Sequence, residues 1–105
     1  MDSGQEVSFE LAGDTLKVRG ILGLNDEDRF AAALRQLRQT EFPTVVIDMG
    51  EVTSINSRCL RHVMLVLSWL RQRDRQALVR ARQQTCRLLT RMGGDALGAI
   101  ELVEG

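Results

Sequence analysis

Val45-Val-Ile-Asp-Met-Gly-Glu-Val-Thr-Ser-Ile-Asn-Ser-Arg-Cys-Leu60 is the stretch on which the fold turns. Its opening run, Thr44 to Asp48, is short, β-branched and continuously apolar, as a central strand buried on both faces of a sheet is. Met49 to Ile55 reads as a loop carrying two more apolar anchors. From Ser57 the period changes. Leu60, Val63, Met64, Leu67 and Leu70 form a stripe at helical spacing, which predicts a helix from about Ser57 to Arg73.

The pattern extends in both directions. Upstream, Val7–Leu11 and Thr15–Arg19 each alternate apolar and polar residues around the turn chemistry of Ala12-Gly13-Asp14, so they read as a hairpin. Gly20 and Gly23 punctuate the next short segment. Asn25 then reads as a helix N-cap, with Asp26, Glu27 and Asp28 in the first turn, where the helix dipole favours anions. Phe30, Leu34 and Leu37 continue that helix, and Phe42-Pro43 ends the connection. Downstream, Gln76–Arg80 reads as a strand. A helix from Gln83 to Met92 buries Leu88, Leu89 and Met92 and stops at Gly93-Gly94. Ala99–Val103 is a last strand. The order β-β-α-β-α-β-α-β predicts an α/β fold with a largely parallel or mixed sheet and helices packed on it.

Length and composition fit that reading. A chain of 105 residues favours one domain, 1–105. A hydrophobic fraction of 44% and a charged fraction of 27% are ordinary for a globular protein and argue against disorder. The opening Met1-Asp-Ser-Gly-Gln-Glu6 lacks a secretory pattern, and Val63–Leu70 is too short to span a bilayer. Cys59 and Cys86 have no partner motif and read as reduced thiols of a cytoplasmic protein. The charge sums to zero but is uneven: residues 1–51 carry ten acids and five bases, whereas residues 52–105 carry four acids and nine bases. Two readings stay open, a solvated surface or a face that docks an acidic partner.

Chemistry is scarce. His62 is the only histidine, and no acid lies at i±3 or i±4 to orient it, so it reads as a surface or packing residue. No metal-ligand spacing and no phosphate-binding glycine loop occurs, so neither a metal nor a cofactor nor catalysis is expected. The arginines between Arg58 and Arg91 have no aromatic platform interleaved, and no recognition helix is present, which argues against nucleic acid. Asp48 closes the central strand, at the edge where open parallel sheets hold ligands, or else it caps the following loop.

The segment Val45–Leu60 resembles the signature of the STAS family, the sulfate-transporter and anti-sigma-factor-antagonist domains. That signature is an apolar strand ending in Asp, then an apolar–Asp–Ser/Thr–Ser–Gly–Leu turn into a helix. Here the turn is Ile55-Asn56-Ser57-Arg58-Cys59-Leu60. Gln76–Val79 matches the following strand, and Cys86-Arg-Leu-Leu-Thr-Arg-Met-Gly93 resembles the third helix and its glycine stop. The resemblance implies a single-domain, STAS-like mixed sheet of four to five strands; the C-terminal helix that family members commonly add is expected to be short or absent here. It implies a non-enzymatic protein–protein switch like an anti-sigma factor antagonist, with Ser57 as phosphoacceptor for a partner kinase that is itself the anti-sigma factor. Asn56, Arg58 and Cys59 depart from the family's Asp, Ser and Gly. Asn caps a helix as well as Asp does but lacks its charge.

The predicted helix offers a second surface. On a helical wheel Arg58, His62, Leu65 and Trp69 lie opposite the apolar stripe, and Trp and Arg are typical interface anchors. Together with Asn56 and Cys59 of the motif turn, Arg58, His62, Leu65 and Trp69 are the candidate partner-binding residues, with a loop or the N-terminal strands over Trp69 as the structural alternative. The short form also resembles the STAS subunit of the bacterial phospholipid-transport ABC complex, which would make the partner a transporter ATPase. A small-ligand or nucleotide module around Asp48 and Ser57, and a homo-oligomer, remain as further readings. Direct membrane insertion is not expected.

Overall fold

The computed structural model describes residues 7–103; the polar opening Met1–Glu6, in which no leader pattern is read, and residues 104–105 lie outside the described residues. Five strands form one sheet in the order β1-β2-β3-β4-β5: β1 Ser8–Ala12, β2 Thr15–Leu22, β3 Thr44–Ile55, β4 Gln76–Ala81 and β5 Ala99–Leu102. β1 and β2 are antiparallel, and every later neighbour is parallel. The helices are α1 Glu27–Gln39, α2 Ser57–Arg71 and α3 Gln83–Arg91, with 3₁₀ turns at Leu24–Asp26 and Gly94–Ala96. Among the described residues no helix follows β5. The α/β class and the mixed sheet are those expected from the element order.

The strands advance across the sheet in sequence order, so right-handed crossovers place all three helices on one face. Burial alternates accordingly. Leu16, Val18, Val45, Ile47, Met49, Val79 and Ala81 are sealed under the helices at 0–1% exposure. Phe30, Leu34 and Leu37 of α1, and Leu60, Val63, Leu67 and Leu70 of α2, close the core from above. Truncating one of these leucines costs about 2–5 kcal/mol, through lost transfer energy and the cavity left behind.

The opposite sheet face is open and polar. Glu10, Lys17, Asp48, Arg80 and Glu101 are register partners in turn across all five strands, a row of alternating charge. Arg80 lies 3.2 Å from Glu101 and 3.9 Å from Asp48, while Lys17 turns to Glu51 at 3.1 Å. Thr44–Asp48 is thus buried on one face only, and Val46 and Asp48 are half-buried on the other.

Several expected boundaries are corrected. Met49–Ile55 is the second half of β3, not a loop. The register against β2 shifts twice, between Lys17 and Arg19 and between Gly20 and Ile21. Each shift puts an extra residue on β3, and its inward positions become Met49, Val52 and Ile55, a spacing that breaks the period of two. Asn25 is not a cap: the 3₁₀ turn precedes α1, and the carboxylate of Asp26 accepts from the Gly23 amide at 3.0 Å. In α3 Leu89 is buried, but Met92 is 42% exposed and Thr85 takes the inward place.

Two glycines explain how α3 ends. Gly93 has φ 88°, the left-handed turn that unwinds a helix C-terminus. Gly94 packs so closely that an added Cβ would stand 2.9 Å from the Leu89 carbonyl and 3.2 Å from the Met64 sulfur. One other contact ties the molecule together below the helices. Arg75 donates to the carbonyls of Phe42 and Arg38, both at 2.9 Å, and so satisfies one backbone oxygen in the last turn of α1 and one in the connection that follows it.

Candidate functional site

β3 delivers the chain to the C-terminal rim of the sheet, where α2 begins. Asn56 is the N-cap: its backbone is extended (φ −83°, ψ 168°), and its Oδ1 accepts from the Cys59 amide at 2.9 Å. Its own N–H donates to Leu22 O at 3.1 Å, which pins the rim to the end of β2. The amide nitrogen Nδ2 of Asn56 is buried and has no hydrogen-bond partner among the described residues. Because Asn56 performs the capping, Ser57 is the first helical residue and stands exposed. A hydroxyl there sits among first-turn N–H groups that no helical carbonyl reaches.

Beside it is a charged bridge between helices. Glu27, at the start of α1, places Oε2 2.9 Å from His62 Nε2 and Oε1 3.7 Å from Arg58 Nη1. The His62 hydrogen bond, with help from Arg58, holds the Glu27 carboxyl below its ordinary value against the opposing effect of desolvation. In this arrangement the Nε2–H of His62 donates to the carboxylate. Sequence spacing missed this partner, since 35 residues separate the two groups. The one available signal was the acid cluster at the start of α1, which reads equally well as a complement to the helix dipole.

The predicted site residues divide into four groups. Asn56, Ser57, Arg58 and His62 are brought together at the rim. Cys59 is corrected: it is 0% exposed and points into the core, so its side chain is not available to a partner. Burial, and then the nearby charges of Glu27 and Asp26, push its thiol up to about 11. Leu65 and Trp69 lie farther along α2. Leu65 is 60% exposed, whereas Trp69 is half-buried. The cover over Trp69 includes Arg73, from the turn that follows α2, and Arg38 of α1. The Arg73 guanidinium lies 3.9 Å and the Arg38 guanidinium 5.1 Å from the Trp69 ring centroid.

Asp48 is corrected as well. It sits in mid-strand on the open face, because β3 continues seven residues beyond it, roughly 20 Å along the strand. Its Oδ1 accepts from Gly50 N at 3.0 Å, the local turn that accompanies the first register shift. It takes no part in the rim. Among the described residues no group of three or more His, Cys, Asp or Glu side chains is placed to hold a metal ion. Both cysteines are free. Among the described residues no helix is long and apolar enough to cross a membrane.

Comparison with known proteins agrees with the architecture. Residues 6–104 match the family model described as "Mlab, STAS domain". No curated protein matches the sequence significantly. The crystal structure of an anti-sigma factor antagonist from Mycobacterium paratuberculosis superposes with a TM-score of 0.74 at 16% identity, covering 98% of this chain and 92% of that one. The anti-sigma factor antagonist SpoIIAA in its unphosphorylated form superposes with a TM-score of 0.69 at 14% identity, covering 94% of this chain and 90% of that one. At such identities the likeness is one of fold.

Proposed function

Since this chain belongs to the STAS domain family, we propose that it is a non-enzymatic, cytoplasmic protein–protein switch of the anti-sigma-factor-antagonist kind, with Ser57 as its phosphoacceptor. The observation that carries this reading is the exposed Ser57 hydroxyl at the first position of α2, relieved of capping duty by Asn56. A kinase reaches such a hydroxyl without unfolding anything. The phosphate adds about −1.5 to −2 charges, and the helix N-terminus accommodates them. Arg58, held only loosely by Glu27 at 3.7 Å, is free to turn to the new phosphate. The helix is not harmed; a partner packed against the rim meets a new double charge and is released. The partner in this reading is the kinase that is also the anti-sigma factor, docking on the Asn56, Arg58 and His62 rim and on Leu65 and Trp69 below it.

Intact mass spectrometry of the protein from its own cells, with the modified residue mapped, tests the switch. A phosphate on Ser57, together with partner binding that Ser57→Asp weakens and Ser57→Ala retains, is the expected result. An unmodified mass under every growth condition overturns it.

One observation favours a second reading. The matching family model carries the Mlab description, and here Arg58 and Cys59 replace the small residues of the phosphoacceptor motif. The protein would then be a regulatory subunit bound constitutively to a transporter ATPase, using the same rim. Co-purification separates the two: a serine kinase supports the first reading and an ABC ATPase the second.

A further inference from the structure

We propose that the lower half of the α1–α2 seam, Leu65 and Trp69 framed by Arg35, Arg38 and Arg73, is a docking groove for an acidic amphipathic helix of a partner protein. The inference rests on the docking role proposed for Leu65 and Trp69 and specifies the chemistry of what binds there.

The seam leaves apolar surface that a helix can cover. A small cavity of about 140 Å³ lies between α1 and α2, lined by Ala31, Leu34, Leu65 and Val66 together with Arg35, Arg38 and His62. Leu65 is 60% exposed, a large apolar side chain left without a cover. Trp69 lies one turn on, at i+4, the interval at which a guest helix presents its own apolar anchors.

The charges specify the guest. Arg35 and Arg73 are exposed and Arg38 is half-buried. Arg38 and Arg73 lie over the Trp69 ring, a contact through the guanidinium face that does not consume their N–H donors. Arg73 uses one donor on the Trp69 carbonyl at 3.2 Å. Among the described residues, none of the three arginines has a carboxylate within ion-pair distance, in contrast to Arg58 at the upper end, which has Glu27. Covering three guanidiniums with a neutral or basic surface would strip their water without compensation. A helix that sets Leu or Phe on Leu65 and Trp69, with Asp or Glu on its flanks, satisfies both the apolar floor and the rim.

A displayed library of amphipathic helical peptides, about 15 residues long with charge randomised on the polar face, tests this on the full chain. Trp69 is the only tryptophan, so its emission reports on the groove directly. The expected winners carry acids beside apolar residues at i, i+4 and shift Trp69 emission. Leu65→Ser, or Arg35→Glu with Arg38→Glu, weakens them at least about tenfold. Lysine-for-glutamate peptides recover binding to the charge-reversed variant, while Ser57→Asp leaves acidic-peptide binding intact. That last arm separates failure of the groove from failure of the phosphorylation switch. Selection that enriches nothing, or peptides indifferent to these variants, overturns the proposal. So does an equal Trp69 response to phosphatidylglycerol vesicles, which would assign the face to an anionic lipid surface.

Discussion

His62 Nε2 and Glu27 Oε2 stand 2.9 Å apart and join the start of α1 to the second turn of α2 beside Ser57. The pair has a defined pH signature. The Glu27 carboxyl is held below its ordinary 4.5, so the stability it contributes is fully present above that value and is lost as pH falls through the lower folded one. Urea midpoints taken from neutral pH down into that acid window should therefore fall more steeply for the wild type than for Glu27→Gln. Parallel curves would mean that the contact is structurally idle.

Cys59 should be chemically silent in the folded protein. Its thiol is fully buried and pushed up to about 11, so almost no thiolate exists near neutrality. Cys86 is only partly covered, and its Sγ donates to Ala81 O at 3.2 Å. Iodoacetamide at mildly alkaline pH, with the adducts mapped by peptide mass, should label Cys86 first and Cys59 only after denaturant is added. Equal labelling of the two in the native state would contradict the packing.

The N-cap of α2 can be dissected by two substitutions. Asn56→Ala removes the acceptor for the Cys59 amide and should cost about 1 kcal/mol. Asn56→Asp keeps that acceptor, eliminates the orphaned Nδ2 and puts a negative charge at a helix N-terminus. Thermal denaturation should find it at least as stable as the wild type. A destabilised Asp variant would show that the neighbouring carboxylates of Asp26 and Glu27 outweigh the helix.

Arg75 is predicted to be the costliest of the arginines to lose. Its guanidinium satisfies two backbone carbonyls, of Phe42 and Arg38, and reaches Thr40 Oγ1 at 3.4 Å. Arg75→Ala should lose about 2 kcal/mol by equilibrium unfolding. Arg75→Lys should recover only part of this, since an ammonium cannot span the same acceptors as a planar fork.

The element order was legible because each element keeps a distinct local pattern. Thr44–Asp48 opens as a β-branched apolar run, and Leu60, Val63, Leu67 and Leu70 follow a helical stripe. The reading failed where tertiary register overrode local pattern. β3 looked like a loop after Asp48 because its two bulges move the inward positions to Val52 and Ile55. Asp48 was misplaced for the same reason. At the rim, the positions of Asn56 as cap and Ser57 as first helical residue follow from local capping chemistry, whereas the role proposed for Ser57 comes from the family resemblance alone. Glu27 could not, because only the packing of α1 on α2 brings it to His62. Cys59 was assigned to the surface from its motif position, although its place among Leu60 and Val63 already put it on the inward arc.

The open face of the sheet has a practical corollary through Lys17. It is the only lysine in the chain, and it lies in the middle row of that face, turned toward Glu51 and away from every helix. Side-chain amine chemistry therefore has a single address. A biosensor surface coupled through Lys17 would hold each molecule sheet-side down and present the Ser57 rim and the Leu65–Trp69 groove outward in one orientation. A fluorophore placed there would report on tumbling without touching either surface.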